Sequence, residues 1–507
     1  MIDQRYKNAK YNIVISLATQ LVAVVCGLIV PRILIGAYGS EAYGATASIG
    51  QFLSYITLLE GGISAVARAA LYKPLADHDV YGISAVVSEI QRFFRKIACV
   101  FLVYVLVLAV SYYYIADVKV FDWLTTFLLV LVISISTFAE YFIGISNAIL
   151  LQAAQKAYIT KAASAIATII NAVMIVILVN CGSDLITVKL VSSCIFAIKP
   201  IIYAAYVKKE YAIFPVKVRN KELLSQKWTG LGQHLALFLH YNTDVTVLTI
   251  LGDLKSVAVY SVYNVVAFHI QNITMSFSTG MEALFGDMLV KKEIEPLRKT
   301  INFYETLVSF VTMVLFGTAA VMIVPFVSLY TSGVTDADYY QPVFGLILLL
   351  SSALCCLRLP YSALTFAAGH FKQTKFAAYG EAIINIVLTV ILVSRFGLIG
   401  LAIGTLTAVG FRYVYYVIYL SKNIVNRKIS VSVRRFLVNA ANFAAIYFLG
   451  QLLLRFIQID AWKGWVLASV GTVFIAVITT LVFLRIFYRD DLKPVLAKLQ
   501  HTLHLKK

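Results

Sequence analysis

Lys and Arg fall at alternate ends of apolar segments along the whole chain, and no other pattern in it restricts folding as tightly. A membrane span needs about 20 mostly apolar residues. Such segments lie near 11–33, 42–66, 95–116, 122–150, 158–180, 184–207, 228–251, 256–285, 303–329, 342–367, 374–394, 397–420, 433–457 and 463–486. The sequence therefore predicts an all-α polytopic membrane protein with about 14 transmembrane helices. Of the 43 Lys and Arg residues, 33 lie in loops on the side of the N terminus and 6 in the opposite loops; Lys189, Lys199, Arg358 and Arg412 fall inside spans. Basic loops are held on the inner membrane face, so this split predicts that both termini are cytoplasmic.

The chain of 507 residues is 60% hydrophobic and 13% charged, with a formal net charge of +18. A soluble protein keeps about a quarter of its residues charged, so lipid is the main solvent here. The basic excess sits in loops and forms no stripe interleaved with aromatics, which argues against nucleic acid as a partner. The apolar run after Lys10 exceeds the hydrophobic stretch of a signal peptide and reads as a retained first span. The cysteines (Cys26, Cys99, Cys181, Cys194, Cys355, Cys356) lie mostly within apolar segments without metal-ligand spacing and read as small hydrophobes.

The chain also repeats. Shifted by 214 residues, Ala153–Val179 falls on Ala367–Val393 with 13 of 27 positions identical, including Thr160-Lys161 on Thr374-Lys375 and Asn171 on Asn385. Six spans separate the copies, so both have the same orientation, and two parallel six-helix lobes follow, with a substrate site expected between them. The expected organisation is a first lobe over 1–207, a basic cytoplasmic linker over 208–227 and a second lobe over 228–421. Two extra transmembrane helices over 422–487 and a basic cytoplasmic tail over 488–507 complete it; the tail reads as an inner-leaflet amphipathic helix or a disordered segment.

Polar residues inside spans are costly in lipid and usually face a bundle interior or a wet cavity. Span ten aligns Ser351, Cys355, Arg358, Ser362 and Thr365 on one helical stripe. Span eight does the same with Tyr260, Asn264, Gln271 and Glu282. Span seven offers Gln233, His240 and Asp244, and span four offers Ser136, Glu140 and Asn147. For Arg358 two roles stand side by side: a cationic anchor for an anionic substrate, whose oxygens its planar fork suits, or a buried ion pair with Glu140 or Glu381. Asp244, Glu140, Glu381 and Glu60 are candidates for coupling-ion or ion-pair roles. Asp244 is either a cation or proton site or a hydrogen-bonding group within the bundle. His234, His240 and His269 read as hydrogen-bonded interior groups rather than metal ligands. Lys199 and Arg412 are expected to snorkel toward an interface, and Pro31, Pro200, Pro325 and Pro360 to kink their spans.

No G-x-x-x-x-G-K-[ST] loop, H-E-x-x-H or usable G-x-S-x-G is present, and no acidic cluster would hold magnesium. No enzyme, no metal and no cofactor is therefore expected. A major-facilitator signature between spans two and three is also missing from Arg68–His78.

One stretch carries a family resemblance. Pro31-Arg32 closes span one, Tyr38-Gly39-Ser40-Glu41-Ala42-Tyr43-Gly44 follows, and Leu58-Leu59-Glu60-Gly61-Gly62-Ile63 closes span two. This opening resembles that of bacterial polysaccharide flippases in the multidrug/oligosaccharidyl-lipid/polysaccharide exporter superfamily. Asn242-Thr243-Asp244, Leu251-Gly252 and Val257-Ala258-Val259-Tyr260-Ser261 resemble that family's second half. The resemblance implies a multi-pass protein of the bacterial cytoplasmic membrane that translocates undecaprenyl-pyrophosphate-linked oligosaccharides by alternating access for cell-surface polysaccharide synthesis. Its partners would be that substrate, membrane lipids, and a polysaccharide polymerase or glycosyltransferases. Family members line their cavity with cations; Arg32 matches a motif position, whereas Arg358 is added from its stripe and depth. The alternatives are a drug or cation antiporter of the related multidrug branch, or another secondary transporter. A membrane-embedded glycan ligase or acyltransferase would need an outer catalytic loop that the sequence lacks.

Overall fold

The computed structural model describes residues 2–60, 63–216, 231–276 and 278–489, with the backbone alone for 2–7, 9, 231–237, 239–241, 278–280 and 372. Among these residues helices dominate and no strand occurs. In a hydrocarbon solvent every backbone N–H and C=O must be satisfied internally, and helices do this segment by segment.

The first helices are α1 (Ile2–Tyr38), α2 (Ser40–Ser54) with a 3₁₀ turn at Tyr55–Glu60, α3 (Ile63–Ala76) and α4 (Val80–Ile115). They are followed by α5 (Trp123–Ala139), a π turn at Glu140–Gly144, α6 (Ile145–Ala153), α7 (Ala157–Asn180) and α8 (Leu185–Tyr211). The expected linker over 208–227 begins inside α8, and its part from 217 lies outside the described residues. From 231 come α9 (Leu231–Leu251), α10 (Leu254–Met275), α11 (Ser278–Val290), α12 (Ile294–Tyr330), α13 (Pro342–Leu357) and α14 (Leu359–Ala367). The last are α15 (Phe371–Asn423), α16 (Ile429–Leu454) and α17 (Trp462–Phe487).

Among the described residues ten helices are long and apolar enough to cross a membrane, or eleven if the pair Ser40–Glu60 and Ile63–Ala76, bent by 49°, is one span. Two expected spans, 374–394 and 397–420, lie within α15, which turns back at Gly397 (φ 54°), a backbone conformation open to glycine at little steric cost. The expected spans 228–251 and 256–285 fall on α9, α10 and α11, outside those ten. Pro31, Pro200 and Pro325 lie within the continuous helices α1, α8 and α12. Pro360 instead follows a break at Arg358, between α13 and α14.

Contacts divide the chain into two compact units. One is Met1–Ser261 with Val334–Ala337, the other Val262–Gly333 with Asp338–Lys507. The core of the first is centred on α4, where Phe94, Phe101 and Tyr112 are almost fully buried. Phe101 stacks on Tyr141 with ring centroids 6.3 Å apart. In the second unit Tyr304, Phe316, Phe344 and Tyr416 are buried to a similar degree, and α16 and α17 pack against α12. Asn439 donates to Ser309 Oγ at 3.1 Å, Asn442 to Thr480 Oγ1 at 3.1 Å, and the Trp465 indole to the Met322 carbonyl at 3.3 Å.

The internal repeat is visible in the backbone of each unit. Shifting α6 (Ile145–Ala153) by 214 residues gives the bounds of α14 (Leu359–Ala367), and each is followed by a residue of positive φ, Gln155 at 59° and Gly369 at 72°. The breaks that precede them correspond too, since Gly144 ends the π turn and Arg358 interrupts span ten.

Candidate functional site

Each unit holds a cluster of charges inside its helices, and each cluster adjoins a broken span. In the second unit Arg358 occupies the break between α13 and α14. Pro360 lacks the N–H that would continue the ladder and crowds the preceding turn. The Arg358 guanidinium donates to Glu381 Oε1 at 2.8 Å and to Cys355 Sγ at 3.4 Å. Gln271 donates to the same sulfur at 3.3 Å. From the returning half of α15, Arg412 pairs with Glu381 Oε2 and lies over the Tyr416 ring, 5.6 Å from its centroid. Arg358, Glu381 and Arg412 are 7%, 0% and 3% exposed.

Of the two partners the sequence offered for Arg358, the one seen is Glu381. Arg412 departs from expectation: it is buried in the same triad instead of snorkelling, because Glu381 lies within reach across the turn at Gly397. Two guanidiniums against one carboxylate leave this cluster with a formal surplus of one positive charge. Ser351 and Ser362, on either side of the break, donate to carbonyls of their own helices, Ile347 at 2.9 Å and Leu359 at 3.0 Å. Asn264 is half-buried on α10.

In the first unit Glu60 ends the 3₁₀ turn that follows α2, and Glu140 opens the π turn in the span Trp123–Ala153. Single π turns within helices recur at functional sites. The Tyr141 hydroxyl donates to Glu60 Oε1. Lys199 and Glu60 are the charged neighbours of Glu140. A side chain on Gly144 would come within 2.9 Å of both Glu140 Oε1 and Pro200 Cβ, so glycine makes room for that carboxylate against α8. Among the described residues, Glu60, Glu140 and Lys199 together carry one formal negative charge, and the Arg95 guanidinium lies over the Phe142 ring of the same π turn, 5.0 Å from its centroid. Asp244, on α9, is 5% exposed and accepts from the Tyr260 hydroxyl at 3.1 Å. Arg32 is half-buried on α1. The side chains of Gln233 and His240 lie outside the described residues.

A polar seam joins α2 to α9 in the same unit. Ser48 and Thr249 share a hydrogen bond of 2.7 Å, Gln51 donates to Asn242 at 2.5 Å, and Tyr55 and Thr246 meet at 2.9 Å. Of these residues only Asn242 stands in a motif legible from the sequence, although Ser48, Gln51 and Tyr55 recur at helical spacing. Among the described residues no group of three His, Cys, Asp or Glu side chains is placed to hold a metal ion, and all six cysteines are free thiols.

A second buried triad lies where the turn after α15 meets α12. Arg427 donates to Glu305 Oε1 at 2.6 Å and Oε2 at 2.9 Å, and Arg435, on α16, lies 3.0 Å from Oε2. Burial works against the Arg427 charge, but the hydrogen bond and charge of Glu305 more than offset it and raise its pKa. The arrangement ties α16 to α12 through ionic contacts.

No family model and no curated protein matches the chain. Solved structures do. An inward-facing multidrug resistance MATE family transporter of the MOP superfamily is similar with a TM-score of 0.65 at 14% identity, over 81% of this chain and 98% of that one. The lipid II flippase MurJ, in an inward closed conformation, is similar with a TM-score of 0.65 at 17% identity, over 94% of this chain and 99% of its own. A MOP superfamily transporter from Pyrococcus furiosus gives 0.54 at 13% identity, over 82% and 96%. The chain thus has the fold of polytopic membrane transporters. That fold is the one shared by the drug transporters and lipid flippases of the MOP superfamily.

Proposed function

We propose that this chain is a flippase that carries undecaprenyl-pyrophosphate-linked oligosaccharides across the bacterial cytoplasmic membrane for surface polysaccharide synthesis, and that it is not an enzyme. The observation that carries this proposal is the Arg358–Glu381–Arg412 cluster, a buried group with surplus positive charge beside a break in a span. Pyrophosphate cannot enter hydrocarbon without replacing its hydration, and a guanidinium fork offers oxygen-matched donors. The flippase MurJ matches 94% of the chain and the MATE transporter 81%, which adds support. With no phosphate-binding loop, direction would come from an ion gradient, the membrane potential or consumption of product on the far side. A polysaccharide polymerase or glycosyltransferases would act on the same substrate.

The test is reconstitution in liposomes, with movement of an undecaprenyl-pyrophosphate-oligosaccharide between leaflets followed against empty vesicles. Protein-dependent movement is expected, and Arg358→Ala should slow it at least tenfold, while Arg412 keeps Glu381 paired and the protein folded. Equal rates in the folded mutant would remove Arg358 from the substrate path. A second possibility, a drug or cation antiporter, is favoured by the carboxylates of Glu60, Glu140 and Asp244. Exchange of cationic drugs for protons or sodium in the same vesicles, with no glycan of a panel moved, would select it.

A further inference from the structure

The motif Tyr38–Gly44 takes no part in either charge cluster, yet it gathers loops. α1 ends at Tyr38 and α2 begins at Ser40, with Gly39 (φ 86°) as the only joint. Gly39 stands at the N-cap and has no side chain to satisfy the first amides of α2. A distant residue does so: Ser40 N donates to Asp336 Oδ2 at 2.6 Å and Ser40 Oγ to Oδ1 at 2.7 Å. A carboxylate there also meets the positive end of the helix dipole.

Two neighbouring residues bind other loops. Glu41 Oε1 accepts from the amides of Lys119 and Val120 at 2.9 and 3.1 Å. The Tyr38 hydroxyl donates to the Ser183 carbonyl at 2.6 Å. Gly44 lets α10 approach, since a Cβ there would lie 1.8 Å from the Leu254 carbonyl oxygen. All these loops are at the helix ends opposite the basic ones.

The strap that carries Asp336 differs from the other loops. Val334–Ala337 packs with the first unit, while the chain before it, Val262–Gly333, and after it, Asp338–Lys507, forms the second. The strap's return is fixed within the second unit. There the Tyr263 hydroxyl donates to the Tyr339 carbonyl at 2.8 Å and accepts from the Gln341 amide at 3.1 Å.

We propose that Asp336 is a releasable latch, docked on the start of α2 in this conformation and freed once per transport cycle. Asp336 is solvent-exposed, and a helix cap of this kind shifts an equilibrium by about fivefold. That is enough to bias a state and little enough to be reversed by a ligand that binds the undocked form better. The Glu41 and Tyr38 contacts involve only the continuous part of the first unit and persist when the latch opens.

The latch rests on the transporter proposal, but one of its two tests needs no substrate. With the native cysteines replaced by serine, Ser40→Cys and Asp336→Cys should crosslink on oxidation. Transport of the lipid-linked oligosaccharide should then stop and return on reduction. Absence of the crosslink, or undiminished transport with the crosslink complete, would overturn the latch. If the reduced pair and the unaltered protein both transport nothing, the assigned substrate fails, and the latch is judged by spin labels alone. For these, Cys181 is retained and paired with Thr335→Cys. Adding Asp336→Ala should raise the undocked fraction about fivefold; an unchanged distance distribution would refute the proposal.

Discussion

In the first unit the span Trp123–Ala153 is interrupted by a π turn that begins at Glu140 and ends at Gly144. In the second, Pro342–Ala367 is interrupted at Arg358, which stands 214 residues beyond Gly144 in the repeat. The helices that follow have the same length and end in the same kind of turn. The side chains at the breaks differ: among the described residues two carboxylates, Glu60 and Glu140, gather with Lys199 beside one, and two guanidiniums, Arg358 and Arg412, share the single carboxylate of Glu381 beside the other. The interruption recurs in both halves of the repeat, whereas the charges beside it stand at non-equivalent positions: under the 214-residue shift Glu140 falls on Leu354 and Gly144 on Arg358. The causes of the two breaks differ as well, a glycine that admits Glu140 against Pro200 in one case and Pro360 in the other.

The widest contrast comes from removing the minority charge of the basic cluster. Glu381→Ala would leave two buried guanidiniums without a carboxylate, at a cost of about 3–5 kcal/mol, and should markedly lower the unfolding temperature in detergent. Arg358→Ala retains the Glu381–Arg412 pair and should be clearly milder; equal losses in the two mutants would break the description of a shared triad. Next in size is Gly144→Ala, which crowds Glu140 and Pro200 and should cost about 1–3 kcal/mol, as overpacking does. An unaltered unfolding temperature there would show that the π turn does not depend on that contact.

The smallest effect lies away from both breaks, at the cap of α8. The Thr187 hydroxyl, 2.6 Å from Asp184, is the main cause that holds this carboxyl below its ordinary range. A depressed folded-state pKa contributes stability above the unfolded value, near pH 4, and loses it as pH falls through the folded one. The stability gap between the protein and Asp184→Asn should therefore close below about pH 4. A gap of constant size from neutral to acid pH would contradict the charge-based cap.

Much of this was legible in the sequence, and for physical reasons. Apolar length and charge alternation reveal spans because lipid penalises every exception. The match of Ala153–Val179 to Ala367–Val393 located a correspondence that the backbone shows again in α6 and α14. The Arg358–Glu381 pair was one of two that the composition of the spans offered. Arg412 reads from sequence as a snorkelling residue because the turn at Gly397, which brings it to Glu381, leaves only a weak signal: Glu381 and Arg412 stand nearly the same number of residues to either side of that glycine. The Tyr141–Glu60 bond and the seam between α2 and α9 pair ordinary polar residues of helices far apart in sequence, and local periodicity does not record their partners. The π turn at Glu140 has no residue of its own kind to announce it.

The Arg427–Glu305–Arg435 contact bears on how α16 and α17, which stand outside the repeat, are retained. Glu305 is 3% exposed on α12, and among the described residues the two cations paired with it, Arg427 and Arg435, come from the turn and helix that lie beyond α15. A chain cut after Asn423 would lose both and keep a bare carboxylate in its interior. Loss of Glu305 alone would in turn leave Arg427 and Arg435 without their shared carboxylate, so the acid and the appended helices depend on each other.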